Sequence, residues 1–296
     1  MAGLFVFGVL HATALFFGDI LMLYAALGCV AWACRGAAPR RLLGAAGVAL
    51  AVAIPVQASG ILGLETLALA APATGPGYLG SFADAARQRI ADLRIALDFG
   101  LRFNALPALA MVLAGYACGA LGWMPPDAAA LRRLRRPARL ALGLAGGASA
   151  VLVALAAEDP AGVGIEAWIG TMAFCAMAPP LAFGMAVTVL DAATRHPDSR
   201  LVRALAVPGR ATLTGYILHS VILGAVFNGW GLGLYGQVGP AGSLLLGIVT
   251  FGAVALLIAA WQRRFRHGPE EWLLRSFAAL AWQPFRREGA QADTAR

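Results

Sequence analysis

The chain has 296 residues, of which 60% are hydrophobic and only 13% charged, against roughly a quarter charged in an ordinary soluble domain. That composition excludes a soluble globular enzyme and describes a polytopic membrane protein. Every one of the 23 basic residues is arginine, which excludes Schiff-base and lysine-nucleophile chemistry. The net charge of +8 does not indicate a nucleic-acid partner, because the arginines sit in short runs between apolar stretches rather than massed on one surface.

Apolar stretches long enough to cross a hydrocarbon core of about 30 Å recur along the chain. They predict spans over 2–17, 19–35, 41–63, 102–123, 139–157, 167–190, 210–228 and 241–262. The expectation is an all-α bundle of seven or eight spans forming a single membrane domain over 1–296. The first two spans need a break. As one straight helix, residues 2–34 would be about 50 Å long, well beyond the core thickness. "FGD" at 17–19 supplies the break, since Gly18 favours a bend and Asp19 can accept a bond from the free N–H groups opening the next helix. On an unbroken helix, His11 and Asp19 would stand about 12 Å apart along the axis and could not touch. They can cooperate only if the helix breaks or if another helix bridges them.

All but four of the arginines fall in "RGAAPRR" (35–41), "RRLRRPAR" (132–139), the 195–210 segment and the tail from Arg263; the exceptions are Arg87, Arg89, Arg94 and Arg102. The positive-inside rule makes the arginine-rich side cytoplasmic. The protein is expected in the bacterial cytoplasmic (inner) membrane, multi-pass, with its C-terminus cytoplasmic. The acidic loop "EDPAGVGIE" (158–166) and "NGWGLGLYGQVG" (228–239) then lie outside, with the longest external segment, 72–101. That segment begins as Gly/Pro-rich loop. From Ser81 it has helical periodicity in Phe82, Ile90, Leu93 and Leu97, which predicts an external amphipathic helix.

Gly115/Gly119 and Gly143/Gly147 form G-x-x-x-G pairs, read here as helix packing. Pro179 and Pro180 fall mid-span and should kink or break that helix. In the tail over 263–296, "HGPEEWLLRSFAALAW" has Pro269 near a helix start, Glu270 and Glu271 in the first turn and an apolar face. It predicts a cytoplasmic interfacial helix, its two glutamates compensating the helix dipole rather than forming a catalytic pair. Cys29, Cys34, Cys118 and Cys175 have no metal-ligand spacing and are read as small core residues; no metal site is expected.

Four blocks carry a family resemblance: "LHATALFFGDILMLYAALG" (10–28), "GRATLTGYILHS" (209–220), "GWGLGLYGQVG" (229–239) and "FRHGPEEWLLRS" (265–276). Together they resemble the YeiB-like family of bacterial membrane proteins, domain of unknown function 418. Ala12 stands where that family usually has glycine, and His219 where glutamine is common. Family members usually begin with further membrane segments, so this chain is expected to be N-terminally shortened. The family looks distantly similar to membrane-embedded acyltransferases. That similarity implies acyl transfer from a cytoplasmic thioester, an acyl-coenzyme A, to an extracytoplasmic glycan or lipid acceptor.

The polar residues within apolar spans are the candidate site. His11 can act as general base or acyl carrier, or simply bond a neighbouring helix's carbonyl. Asp19 can orient an imidazole, bind an acceptor or cap a helix. Arg210 can bind an anionic headgroup or a coenzyme phosphate, or snorkel to the interface. Tyr216 and His219, three apart and so on one face of their helix, complete the substrate-binding candidates. The residues themselves also leave open a transporter, with Pro179 and Pro180 opening a midplane site, or a non-catalytic membrane assembly partner.

Overall fold

A computed structural model describes residues 1–68, 75–123, 127–158 and 165–287. The chain is 79% helix, with no strand among the described residues. In order, the helices are α1 (Ala2–Ala14), α2 (Leu21–Ala33), α3 (Pro39–Ala68), α4 (Phe82–Phe99), α5 (Ala105–Ala120), α6 (Ala128–Glu158), α7 (Ile165–Arg195), α8 (Arg200–Ala206), α9 (Thr212–Phe227), α10 (Pro240–Gln262) and α11 (Pro269–Ala279). A π-helical turn, Gly100–Asn104, joins α4 to α5, and short 3-10 turns occupy Pro76–Leu79 and Pro208–Arg210.

Four described helical runs are long and apolar enough to cross a membrane: Pro39–Gln57, Phe82–Ala120, Met177–Arg195 and Pro240–Gln262. A fifth is added if Arg200–Arg210 and Thr212–Phe227, bent by 83°, make one broken span. α10 shows how these helices meet their surroundings. Leu244, Leu245, Ile248, Val249, Leu256 and Leu257 are exposed, while Thr250, Val254 and Ile258 are buried. Large apolar side chains turned outward along a whole helix mark a lipid-facing surface. α1 and α2, at 13 residues each, are each about 20 Å long and short of a full crossing.

The chain divides into two compact units: Met1–Ala25 with Ala73–Ala96 and Asp198–Arg296, and Ala26–Pro72 with Leu97–Pro197. In the second, Leu42, Ala46 and Ala49 of α3 recur at helical spacing and pack on Ala110, Leu113 and Ala117 of α5. α6 and α7 pack through Leu131, Ala138 and Val187. Their crossing is closest at Gly184, where a Cβ would lie 2.8 Å from the Ala138 carbonyl oxygen. An Arg135–Asp191–Arg195 ion cluster, with contacts of 2.8 and 2.5 Å, ties the two helices near their Arg195 end.

Several expectations are corrected here. At Gly115, Gly119, Gly143 and Gly147 an added Cβ meets nothing within 4 Å among the described residues, so close packing at the G-x-x-x-G pairs is not seen there, whereas Gly184 is in close contact. α7 runs from Ile165 to Arg195 with Pro179 and Pro180 inside it, so of the kink or break expected there, the break does not occur. Cys29 is exposed and Cys34 and Cys118 are half-buried, so these three are not core residues; the Cys175 side chain and the loop 159–164 lie outside the described residues.

Candidate functional site

The site lies wholly in the first unit and is made by the break between its first two helices. α1 stops at Ala14, where the Leu15 and Phe16 amides both donate to the His11 carbonyl and end the regular ladder. Five residues later Asp19 Oδ2 accepts the Met22 amide at 2.9 Å, taking up one of the free donors that open α2. The turn folds Asp19 back on α1. Gly8 makes that return possible: a Cβ there would lie 2.7 Å from the Met22 nitrogen and 2.8 Å from Asp19 Oδ2. Gly8→Ala is therefore expected to cost about 1–3 kcal/mol through overpacking, seen as a lower unfolding temperature in detergent.

With the chain so folded, His11 Nδ1 stands 2.9 Å from Asp19 Oδ1. On the other side of the ring, His11 Nε2 stands 2.8 Å from Ser220 Oγ on α9. The Tyr216 hydroxyl, one turn back on α9, donates to Asp19 Oδ1 at 3.4 Å, and its ring lies 4.6 Å from the imidazole. The His11 and Asp19 side chains are both 0% exposed, whereas Ser220 is half-buried. An ionised carboxylate only accepts hydrogen bonds, so the proton between Asp19 and His11 belongs to Nδ1. With the imidazole neutral, Nε2 is the acceptor and Ser220 the donor. The order is carboxylate, imidazole, hydroxyl.

Around the turn, Arg89 of α4 is 1% exposed and donates to the Ala14 carbonyl at 2.9 Å. It holds the C-terminal end of α1 where the helix dipole favours a cation. The Tyr78 hydroxyl donates to Asp92 at 2.7 Å, and its ring stacks on Tyr235 at 5.5 Å. The Tyr78 carbonyl accepts the Gly229 amide at 2.7 Å, so the 75–81 and 228–239 loops are pinned together. Burial, reinforced by the bond to the Asp92 carboxylate, raises the Tyr78 phenol well above its usual range.

At the opposite end of α9, Glu271 reaches across from α11 and accepts the Leu213 and Thr214 amides at 2.7 and 3.1 Å. Glu270 and Glu271 also converge on the Thr214 hydroxyl. Glu271 thus caps a helix other than its own. Glu271→Ala is expected to cost about 0.5–2 kcal/mol, the worth of an N-cap, measured by thermal unfolding in detergent.

Of the residues singled out in the sequence, His11, Asp19 and Tyr216 come together. His219 does not join them: its Nδ1 donates to the Gly215 carbonyl at 2.7 Å and its ring faces Phe251 at 6.3 Å. Three residues turn an α-helix by about 300°, four by about 400°, so Ser220 rather than His219 is the neighbour that shares Tyr216's contact with α1. Tyr216 and His219 do share the wall of a second feature, an apolar cavity of about 320 Å³ bounded also by Gly209, Phe251, Val254 and Ile258. Arg210, next to Gly209, is exposed. Among the described residues no three His, Cys, Asp or Glu side chains group as metal ligands do.

These features define an α-helical membrane protein with a buried Asp–His pair completed by a serine hydroxyl at a broken N-terminal helix. The chain belongs to the family described as Protein of unknown function (DUF418), whose model matches residues 118–281. It is 30% identical over 309 residues to Uncharacterized protein YxaH of Bacillus subtilis (strain 168), a match covering 97% of this chain and 73% of that one. It is 36% identical over 85 residues to Uncharacterized protein YeiB of Escherichia coli (strain K12), covering 29% of this chain and 22% of the relative. No solved structure matches. Arg210, Tyr216, His219 and Ser220 lie inside the matched family region; His11 and Asp19 precede it.

Proposed function

We propose that this protein transfers an acyl group from a thioester donor, an acyl-coenzyme A, to a glycan or lipid acceptor on the outer side of the bacterial inner membrane. The observation that carries the reading is His11 held between Asp19 at 2.9 Å and Ser220 at 2.8 Å. An imidazole fixed in its Nδ1–H form by a buried carboxylate presents Nε2 as a general base, the group an acyl transfer needs to take a proton from its nucleophile. Both ring nitrogens are engaged, which favours a base over an acyl carrier.

Membrane placement fits the same reading. In this reading the arginine-rich loops and the C-terminus are cytoplasmic, as the positive-inside rule favours. His11 then sits toward the outer leaflet near the α1–α2 turn, which α4 holds through Arg89 on the Ala14 carbonyl. The apolar cavity beside Tyr216 and His219 is bounded at one end by Pro208 and Gly209, on the side from which, in this reading, a coenzyme A thioester approaches. In this reading Arg210 receives an anionic group of the donor, since a guanidinium pairs well with phosphate. The test is to reconstitute the purified protein in vesicles of bacterial lipid, supply radiolabelled acetyl-coenzyme A and look for labelled lipid or added glycan. Transfer above protein-free vesicles supports the reading; its absence across both acceptor classes removes it.

A further inference from the structure

We infer that Ser220 is the nucleophile of this site and carries the acyl group as a covalent seryl ester between donor and acceptor. The inference rests on the acyl-transfer reading for the identity of the donor, and on geometry alone for the activation of the serine.

A serine in a helix ordinarily satisfies its hydroxyl on the carbonyl one turn back. Ser220 has that contact only as the longer of two: 3.4 Å to the Tyr216 carbonyl, against 2.8 Å to His11 Nε2. With His11 neutral, the shorter contact takes the single hydroxyl proton to the imidazole. Burial follows the same order. Asp19 and His11 are closed off from solvent, which strengthens their interaction, while half-buried Ser220 stands at the accessible end. A general base oriented by a third group, with a hydroxyl in bonding reach, is the signature of an activated nucleophile. The cavity of about 320 Å³ has as wall residues His219, the chain neighbour of Ser220, and Tyr216, one turn away. Ser220 is not itself in that wall; in the proposal the acyl arm reaches the cavity past Tyr216, which borders both the cavity and the imidazole.

The step balances without any further reagent. Ser220 Oγ attacks the thioester carbonyl carbon and its proton passes to His11 Nε2. The tetrahedral adduct collapses, the C–S bond breaks, and the thiolate leaves as a thiol with that proton. An acceptor hydroxyl or amine then gives its proton to Nε2 and attacks the seryl ester. The C–Oγ bond breaks and Oγ recovers the proton. Asp19 stabilises the imidazolium in both halves.

The experiment uses the whole protein in detergent with two probes. With radiolabelled acetyl-coenzyme A and no acceptor, acid-quenched protein is expected to hold one acetyl group on the peptide containing Ser220. Ser220→Ala is expected to hold none and to transfer more than about 10²-fold more slowly, with an unchanged unfolding temperature. Ser220→Cys is expected to regain the label as a thioester. With a fluorophosphonate, which reports an activated serine whatever the natural donor, Ser220 is expected to be modified in the wild type and not in His11→Gln. Wild-type transfer rates in Ser220→Ala, with His11→Gln inactive, would overturn the nucleophile and leave the transfer reading standing. Fluorophosphonate labelling of Ser220 without any acetyl transfer would retain the nucleophile and overturn the donor. Absence of both labels overturns the inference.

Discussion

Asp19→Asn is expected to lower turnover by about 10⁴-fold, the loss that follows when a triad imidazole is fixed in the wrong tautomer, while leaving the fold in place. The reason lies in what each oxygen of Asp19 does. Oδ2 accepts the Met22 amide and Oδ1 faces His11 Nδ1. An asparagine must keep its one carbonyl oxygen on the Met22 N–H to preserve the cap of α2. Its NH₂ group then turns toward Nδ1 and donates to it. The imidazole proton moves to Nε2, and a protonated Nε2 cannot take the proton of Ser220. The cap survives and the base is lost, so the unfolding temperature should change little. Asp19→Ala would remove both. Steady-state rates and thermal unfolding of the two variants separate these roles, and an active Asp19→Asn enzyme would show that the tautomer of His11 does not matter.

His11→Ala should reduce transfer by about 10²–10⁴-fold, the usual worth of a positioned general base. It should also destabilise the protein. Removing the imidazole leaves the Asp19 carboxylate buried with one remaining side-chain donor, Tyr216, at 3.4 Å. Leaving a buried polar group short of its hydrogen-bond partner costs about 1–3 kcal/mol, and more when that group is charged. His11→Gln tells the two effects apart, because a glutamine amide can still donate to Asp19 but cannot act as a base near neutral pH. It should recover most of the stability and none of the rate.

The part of the site on one stretch of chain was open to sequence reasoning. The length of the apolar run over 2–34 required a break, "FGD" supplied one, and the break was the condition for His11 and Asp19 to meet. In the structure α1 and α2 are separated by residues 15–20 and the two side chains are 2.9 Å apart. The contribution of α9 was harder to read. Tyr216 and His219, at i and i+3, were paired as a polar face, but the pair that meets α1 is Tyr216 and Ser220, at i and i+4. Both spacings share a helix face, and only the placement of the neighbouring helix decides between them. A serine in an apolar helix also carries little signal alone, since its hydroxyl is usually satisfied by its own backbone.

Similar reasons account for the remaining differences. Glu270 and Glu271 were legible as first-turn carboxylates of their own helix, but the chain gave no sign that Glu271 would reach the first turn of α9. The arginine near the outer turn, Arg89, lay in a segment whose periodicity spoke only of an amphipathic helix; its burial against the Ala14 carbonyl depends on a fold of the chain 75 residues away. The all-helical, membrane-type character followed from composition alone, whereas helix length along the chain did not. α4 and α5 form one run of 39 residues through a π-helical turn, where the composition had suggested a polar helix followed by a separate span.

The most direct test of the account is the rate of acetyl transfer from acetyl-coenzyme A by wild-type protein and His11→Gln, side by side in the same lipid vesicles and at matched folded fractions. A fall of at least about 10²-fold in the variant, with its unfolding temperature close to wild type, is the predicted result. Equal rates would contradict the account, because His11 would then be a structural histidine and the Asp19–His11–Ser220 arrangement would have no part in the chemistry.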